Sequence, residues 1–346
     1  MSLDRSVVAR GARRVPFESI PIIDLAAMFG DDRAAKERVA GEIDKACREI
    51  GFFYVRNHGV SEATIAHAYD ESARFFALSL DEKMAIHYKK ARNMVRGYVP
   101  MFQTHSDRTV KADYHDAFEY SLELPHDDPD HVAGIPLYGP NQWPANLPGF
   151  REGVSRYYDA VLDLGATLFR AFATALALPD DFFVPLITKP MGQMRVIHYP
   201  EQENIDDTGQ WGIGAHTDYE CFTILSQDGA GGLQVRNAAG NWIEAPPIPG
   251  AFTINIGDMM ARWTNDIYVS TPHRVLNRSG YERYSFALFY GANFETIVSC
   301  LPSCQDHDHP PKYGPVRSGD WTTENLRSTY FSGEAVGYSL RQAPGN

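Results

Sequence analysis

The feature that most constrains this chain is Ala215-His216-Thr217-Asp218-Tyr219, read together with a histidine far downstream, His273 in Ser270-Thr271-Pro272-His273-Arg274. The residues after Gly214 are rich in Tyr, Cys, Phe, Thr, Ile and Leu, a composition that predicts a strand. Side chains on a strand repeat every two residues, so His216 and Asp218 are expected on one face. One imidazole and one carboxylate side by side, joined by a second imidazole from another strand, make a facial triad. Such a set leaves coordination positions open and suits non-haem Fe(II). By itself His-x-Asp is more often a satisfied core histidine beside a surface aspartate. The company the motif keeps decides otherwise.

Ten residues past His273, Arg283 and Ser285 stand two apart in Tyr281-Glu282-Arg283-Tyr284-Ser285-Phe286, again on a predicted strand. A guanidinium fork fits a carboxylate with two hydrogen bonds, and a serine hydroxyl can add a third. Alone, Arg-x-Ser is close to noise. At this distance from the second histidine it reads as a carboxylate anchor beside a metal.

Five segments now stand in order: Gly214 to Asp218, Pro249 to Asp258, Thr264-Asn265-Asp266, Ser270 to Val275, and Arg283 to Phe286. Together they closely resemble the Fe(II)/2-oxoglutarate-dependent dioxygenases of the isopenicillin N synthase-like group. Ile20 to Leu25 and Gly51 to Val60 resemble the N-terminal region of the same group. The resemblance implies Fe(II) on His216, Asp218 and His273. It implies 2-oxoglutarate chelating the metal through its C1 carboxylate and keto oxygen, with its distal carboxylate on Arg283 and Ser285. Tyr199 can reach the co-substrate carboxylate in this family, and a basic residue at the position of Arg195 can reach co-substrate or substrate. The chain departs from the plant-type Asn-x-Tyr pattern, with Ile197 in place of the asparagine. O2 is the second co-substrate, succinate and CO2 the products, and hydroxylation of a small organic substrate the default outcome. An isopenicillin N synthase-like oxidase using no 2-oxo acid and an ethylene-forming-type enzyme share the triad. A metal-dependent hydrolase or isomerase on the same fold, or a binding protein, are the rivals from other classes.

Many short strands with turn signals, and ligand histidines on separate strands, predict a mainly β protein with flanking helices. The architecture expected is a double-stranded β-helix, the jelly roll of cupins. Helices are expected over 33–49, from Ser61 as N-cap, from Asp81, and over 150–178; strands over Ile20–Leu25, Phe52–Val55 and Asp116–Ser121. The division expected is a loose segment 1–18, an N-terminal helical and strand region 19–135, and a loop with a long supporting helix 136–189. The dioxygenase catalytic core spans 190–295 and a C-terminal extension 296–346, all in one structural domain.

Formal net charge is −12 without a Lys/Arg cluster, which argues against a nucleic-acid partner. No apolar run approaches the roughly 18 residues of a membrane helix. Four cysteines in 346 residues do not suggest a disulfide framework, and a cytoplasmic location is expected. Cys300, Cys304, His307 and His309 match no common structural zinc pattern. Tyr98, Phe102, Phe118, Tyr219 and Phe294, with Arg195, are the substrate-facing residues expected, and they suit a small organic molecule. Oligomeric state is not readable from the sequence.

Overall fold

Two-residue alternation along the strands divides the interior of this protein into a packed side and a hollow side. The computed structural model describes residues 16–91, 94–202 and 210–331. Its strands are Ile22–Asp24 (β1), Phe52–Arg56 (β2), Gly97–Val99 (β3), Asp116–Ser121 (β4), Pro190–Tyr199 (β5) and Ile213–His216 (β6). Phe222–Gln227 (β7), Leu233–Arg236 (β8), Trp242–Glu244 (β9), Ala251–Ile256 (β10), His273–Val275 (β11) and Arg283–Asn293 (β12) follow. An eight-stranded sheet runs β1-β2-β10-β7-β12-β5-β4-β3, and a four-stranded sheet runs β6-β11-β8-β9. Only the β1–β2 pair of the large sheet is parallel.

On β12, Arg283, Ser285, Ala287 and Phe289 line an internal cavity, whereas Phe286, Leu288 and Tyr290 pack into the main core. Its neighbour β5 follows suit, with Arg195, Ile197 and Tyr199 on the cavity side and Met194 and Val196 in the core. The small sheet faces the hollow side. Between the sheets lies a second apolar cluster containing Phe52, Ile197, Tyr199, Ile213, Leu233, Val235 and Val275. Two facing sheets closed around such an interior are the double-stranded β-helix.

The packed face is covered by helices. Arg33–Glu49 (α1) starts on Asp32, whose carboxylate accepts from the Ala35 N–H, and Glu62–Phe76 (α2) starts on Ser61, whose hydroxyl accepts from the Thr64 N–H. Leu80–Ala85 (α3) has a full capping box from Ser79 and Glu82. Residues 125–149 hold one short helix, Pro129–Val132 (α4). Phe150–Ala175 (α5) buries Val154, Val161, Leu168, Phe169 and Phe172 against the large sheet and packs on α1 and α2. Asp258–Trp263 (α6) and Ser318–Tyr330 (α7) lie next to the site. Among the described residues no helix is long and apolar enough to cross a membrane.

Several expectations change. Residues 1–15 of the segment expected to be loose lie outside the described residues, as do 332–346 of the tail. Phe17 is buried, and its carbonyl accepts from Asn237 Nδ2 at 3.0 Å. The strand carrying the triad ends at His216, so Asp218 is not on a strand. Here the chain crosses from the small sheet to the large one. The Asp218 and Cys221 carbonyls accept from Asp258 and Gly257 N–H at the head of α6 instead of from a strand partner.

Helix and sheet approach closely at Gly165, where a Cβ would stand 2.2 Å from the Tyr290 ring. Alanine would gain about 1 kcal/mol of helix propensity, but overpacking of a filled core costs about 1–3 kcal/mol. Gly165→Ala should therefore lower the urea midpoint, and Gly165→Val should lower it further. An Ala variant as stable as the parent would contradict this packing.

Candidate active site

The triad forms where the two sheets meet. His273 on β11 pairs with His216 on β6, and their rings lie 4.3 Å apart. Asp218 reaches the same point from the turn, its Oδ1 3.6 Å from each histidine Nε2. The three ligand atoms lie within 4.8 Å of one another, and no other such cluster occurs among the described residues.

Each ligand is oriented by a neighbour. His216 Nδ1 contacts the Gly214 carbonyl at 2.8 Å and His273 Nδ1 the Thr271 carbonyl at 3.2 Å. Donation to these carbonyls puts the proton on Nδ1 and leaves the Nε2 lone pairs for a metal. Asp218 Oδ2 accepts from Asn255 Nδ2 at 2.6 Å and from the Thr223 hydroxyl, leaving Oδ1 toward the histidines. Burial opposes ionisation of Asp218, but His273 and His216 outweigh it and hold the carboxyl well below the usual range. Burial, with His216 alongside, pushes His273 down to about 4. A charged carboxylate and an imidazole kept neutral are the protonation states a divalent metal requires. The donor set fits Fe(II).

Two chambers adjoin the triad and share Arg195 and Phe289. The inner one holds Tyr199, Arg283 and Ser285. Arg283 is fully buried; its Nε donates to the Gly231 carbonyl at 2.6 Å, Nη2 to Gln227 at 3.0 Å and Nη1 to Ser285 Oγ at 3.2 Å. Tyr199 lies under the guanidinium at 4.6 Å. No carboxylate pairs with Arg283 among the described residues.

The outer chamber is lined by Gln193, Tyr219 and Glu220, with Leu326, Thr329 and Tyr330 of α7 as one wall. Arg195, between the chambers, pairs with Glu119 at 3.0 Å and contacts His115 Nε2 at 2.7 Å. Tyr330 Oη donates to Glu119 at 2.7 Å. Burial, then Arg195, pushes His115 down to about 4, so it accepts from the guanidinium.

Tyr219 is the expected substrate-facing aromatic that does line this chamber. Tyr98 and Phe118 do not: they sit in the core with Phe75, Tyr98 donating to Asp116 at 2.9 Å. Both lie on the helix side of β3 and β4, because Glu119 takes the cavity side opposite Arg195. Phe294 packs against Tyr138 and Gly319, and Phe102 is exposed beside Tyr114. Glu119, His115, Glu220, Thr223 and Asn255 belong to the site without having been singled out for it. The phase of β4 could have found Glu119. In the tail, His307 and His309 lean on Asp308 and Asp306 at the surface, apart from Cys304, which is buried.

A jelly roll with two imidazoles and a carboxylate at the seam of its sheets, and a buried guanidinium without a carboxylate partner among the described residues beside them, defines a mononuclear non-haem iron oxygenase. Residues 190–292 match the model of the 2OG-Fe(II) oxygenase superfamily, and 20–146 match that of the non-haem dioxygenase in morphine synthesis N-terminal domain. The chain belongs to the 2-oxoglutarate-Fe(II) oxygenases of the isopenicillin N synthase-like family and is a 2-oxoglutarate-dependent non-haem iron dioxygenase. It is 37% identical over 327 residues to the 2-oxoglutarate-Fe(II) type oxidoreductase hxnY of Emericella nidulans, covering 93% of each chain. It is 37% identical to a homoarginine-6-hydroxylase of Arabidopsis thaliana, with 88% of this chain and 92% of that one covered. A full-length Neurospora crassa protein solved in complex with alpha-KG and thymine is similar with a TM-score of 0.81 at 27% identity, over 92% of this chain and 99% of that one.

Groups that orient a metal ligand from behind change metal affinity by about 10–100-fold when removed. Asn255→Leu should weaken anaerobic Fe(II) binding within that range, and His216→Ala should abolish it. Unchanged affinity in the Asn255 variant would show that Asp218 needs no such support.

Proposed function

We propose that this dioxygenase hydroxylates a small organic substrate held in the outer chamber, with 2-oxoglutarate in the inner one. The observation that carries this is Arg283, a fully buried guanidinium without an anionic partner among the described residues, in the chamber that also contains the triad. A buried charge left unpaired is costly, so the site is built to receive its counter-ion from a ligand. A dicarboxylate meets that need. One end lies within reach of the metal site, and the other takes the fork of Arg283, the Ser285 hydroxyl and the Tyr199 phenol.

His216, Asp218 and His273 would hold the iron. When bound, it supplies activation of O2 by oxidative decarboxylation of 2-oxoglutarate, one oxygen atom ending in succinate and the other in the hydroxylated product. The protein's own share is positioning and exclusion of water. Ile197, Leu225, Leu233 and Val275 line the inner chamber and keep its walls apolar around the charged ends. Tyr219 donates or accepts a hydrogen bond with Thr329 at 2.7 Å, and its carbonyl accepts from Trp321 Nε1 at 3.0 Å. These contacts fasten α7 over the outer chamber and confine the substrate beside the metal. Relatives named for homoarginine hydroxylation, and the Neurospora crassa protein bound to thymine, support a small-molecule substrate.

Adding 2-oxoglutarate to the anaerobic Fe(II) protein should produce the weak visible charge-transfer band of the chelate. Removing one partner of a buried charge pair costs about 2–5 kcal/mol. Arg283→Ala should therefore raise the 2-oxoglutarate concentration needed for half the band by roughly 30-fold or more. Arg283→Lys should recover only part, because an ammonium lacks the planar fork. Bound iron without a band would move the oxidase that uses no 2-oxo acid to first place.

A further inference from the structure

The outer chamber contains a second ionisable group that the chemistry above leaves unused. Glu220 is 4% exposed, and its side chain lies between the outer chamber and a small crevice lined by Arg96, Ser121, Met191 and Thr322. Apart from its own backbone N–H, no described group hydrogen-bonds to its carboxyl. The charged groups around it are acids: Asp218, Asp258 and Glu119. The two guanidiniums in the neighbourhood are engaged elsewhere. Arg96 donates to Asn141 and to the Leu137 carbonyl, and Arg195 is held by Glu119 and His115.

A carboxyl is a poor choice for a wall that needs only to be apolar, and a poor packing group without a partner. Against a cation delivered by a ligand it becomes a charge-assisted acceptor in a site from which water is excluded. We infer that Glu220 is a recognition group for a cationic nitrogen of the substrate, an ammonium or a guanidinium, bound in the outer chamber. Arg195 Nη1, which makes no hydrogen bond to a described residue, lies on the same chamber and can take an anionic group of that substrate. The chamber thus presents one acidic and one basic group to a ligand. This assignment rests on the proposed use of the outer chamber for substrate.

The test pairs cations with neutral isosteres: methylguanidine with methylurea, butylguanidine with butylurea, and n-butylammonium with 1-butanol. Each is titrated calorimetrically into the anaerobic Fe(II)- and 2-oxoglutarate-loaded protein, while the chelate band independently reports the co-substrate. At least one cation should bind at millimolar concentration or below, about ten-fold or more tightly than its isostere. Glu220→Gln should erase that preference while the melting curve shows a folded protein, and Glu220→Ala should do the same if glutamine disturbs packing. Should no cation bind, should each isostere bind equally, or should the preference survive both substitutions, the assignment is overturned. A cation preference that depends on Glu220 without a chelate band would leave this assignment standing and remove the 2-oxoglutarate reading.

Discussion

The buried carboxylate of Asp218 connects everything else in this structure. Its Oδ1 faces His216 and His273, both on the small sheet, while its Oδ2 accepts from Thr223 on β7 and Asn255 on β10, both on the large sheet. One side chain therefore joins the two halves of the β-helix through its two oxygens. Its main-chain carbonyl accepts from Asp258 at the start of α6 as well, so the turn that carries it is held at both ends. A carboxylate buried like this would be destabilising without partners. With four of them it is the centre of a polar seam in an otherwise apolar interior, and it acquires the charge and orientation that a metal needs. Structural cohesion and ligand geometry come from the same contacts.

The two faces of the large sheet are held to different standards by physics. On the helix side, α5 packs so closely that Gly165 is required against Tyr290. Residues there are apolar and interlocked. On the other side the strands cannot be packed shut, because the chambers must remain open. Buried charge on this side is instead distributed into networks: Arg283 with Gln227, Ser285 and the Gly231 carbonyl, and Arg195 with Glu119 and His115. Such networks fix side-chain positions that empty space would leave loose.

This division explains which parts of the site were legible in the sequence. His216, His273, Arg283, Ser285, Tyr199 and Arg195 sit on strands whose own two-residue phase brings them to one face, and the jelly roll follows from the same pattern. Asp218 was identified although its strand ends too early, since the turn returns the carboxylate to the place that an extended chain would have given it. Glu119 and His115 depend on how β4 pairs with β5, and pairing between distant segments is not written in either segment alone. Tyr98 and Phe118 looked suited to a substrate because they are aromatic. Burial against Phe75 of α2 claimed them first, as the core claims most large aromatics. Glu220 carried no local signal at all: its meaning depends on the absence of a partner among the described residues, which only the assembled fold reveals.

Arg283 and Glu220, each without a group of opposite charge bonded to it among the described residues, also impose an order on the cavity. Arg283 ends the inner chamber and Glu220 borders the outer one, with the triad and Arg195 between them. At low local dielectric, charges of opposite sign in adjoining chambers discriminate strongly between ligands. On the assignments proposed above, a dicarboxylate is drawn to Arg283 at the inner end and kept from the acids around Glu220. On the same assignments, a cationic substrate is drawn to the outer chamber and is repelled by Arg283. Neither ligand needs a barrier to keep it out of the other's place, because each wrong placement buries like charges together. On these assignments the separation of co-substrate from substrate arises from the positions of two side chains, one on β12 and the other in the turn that also carries Asp218.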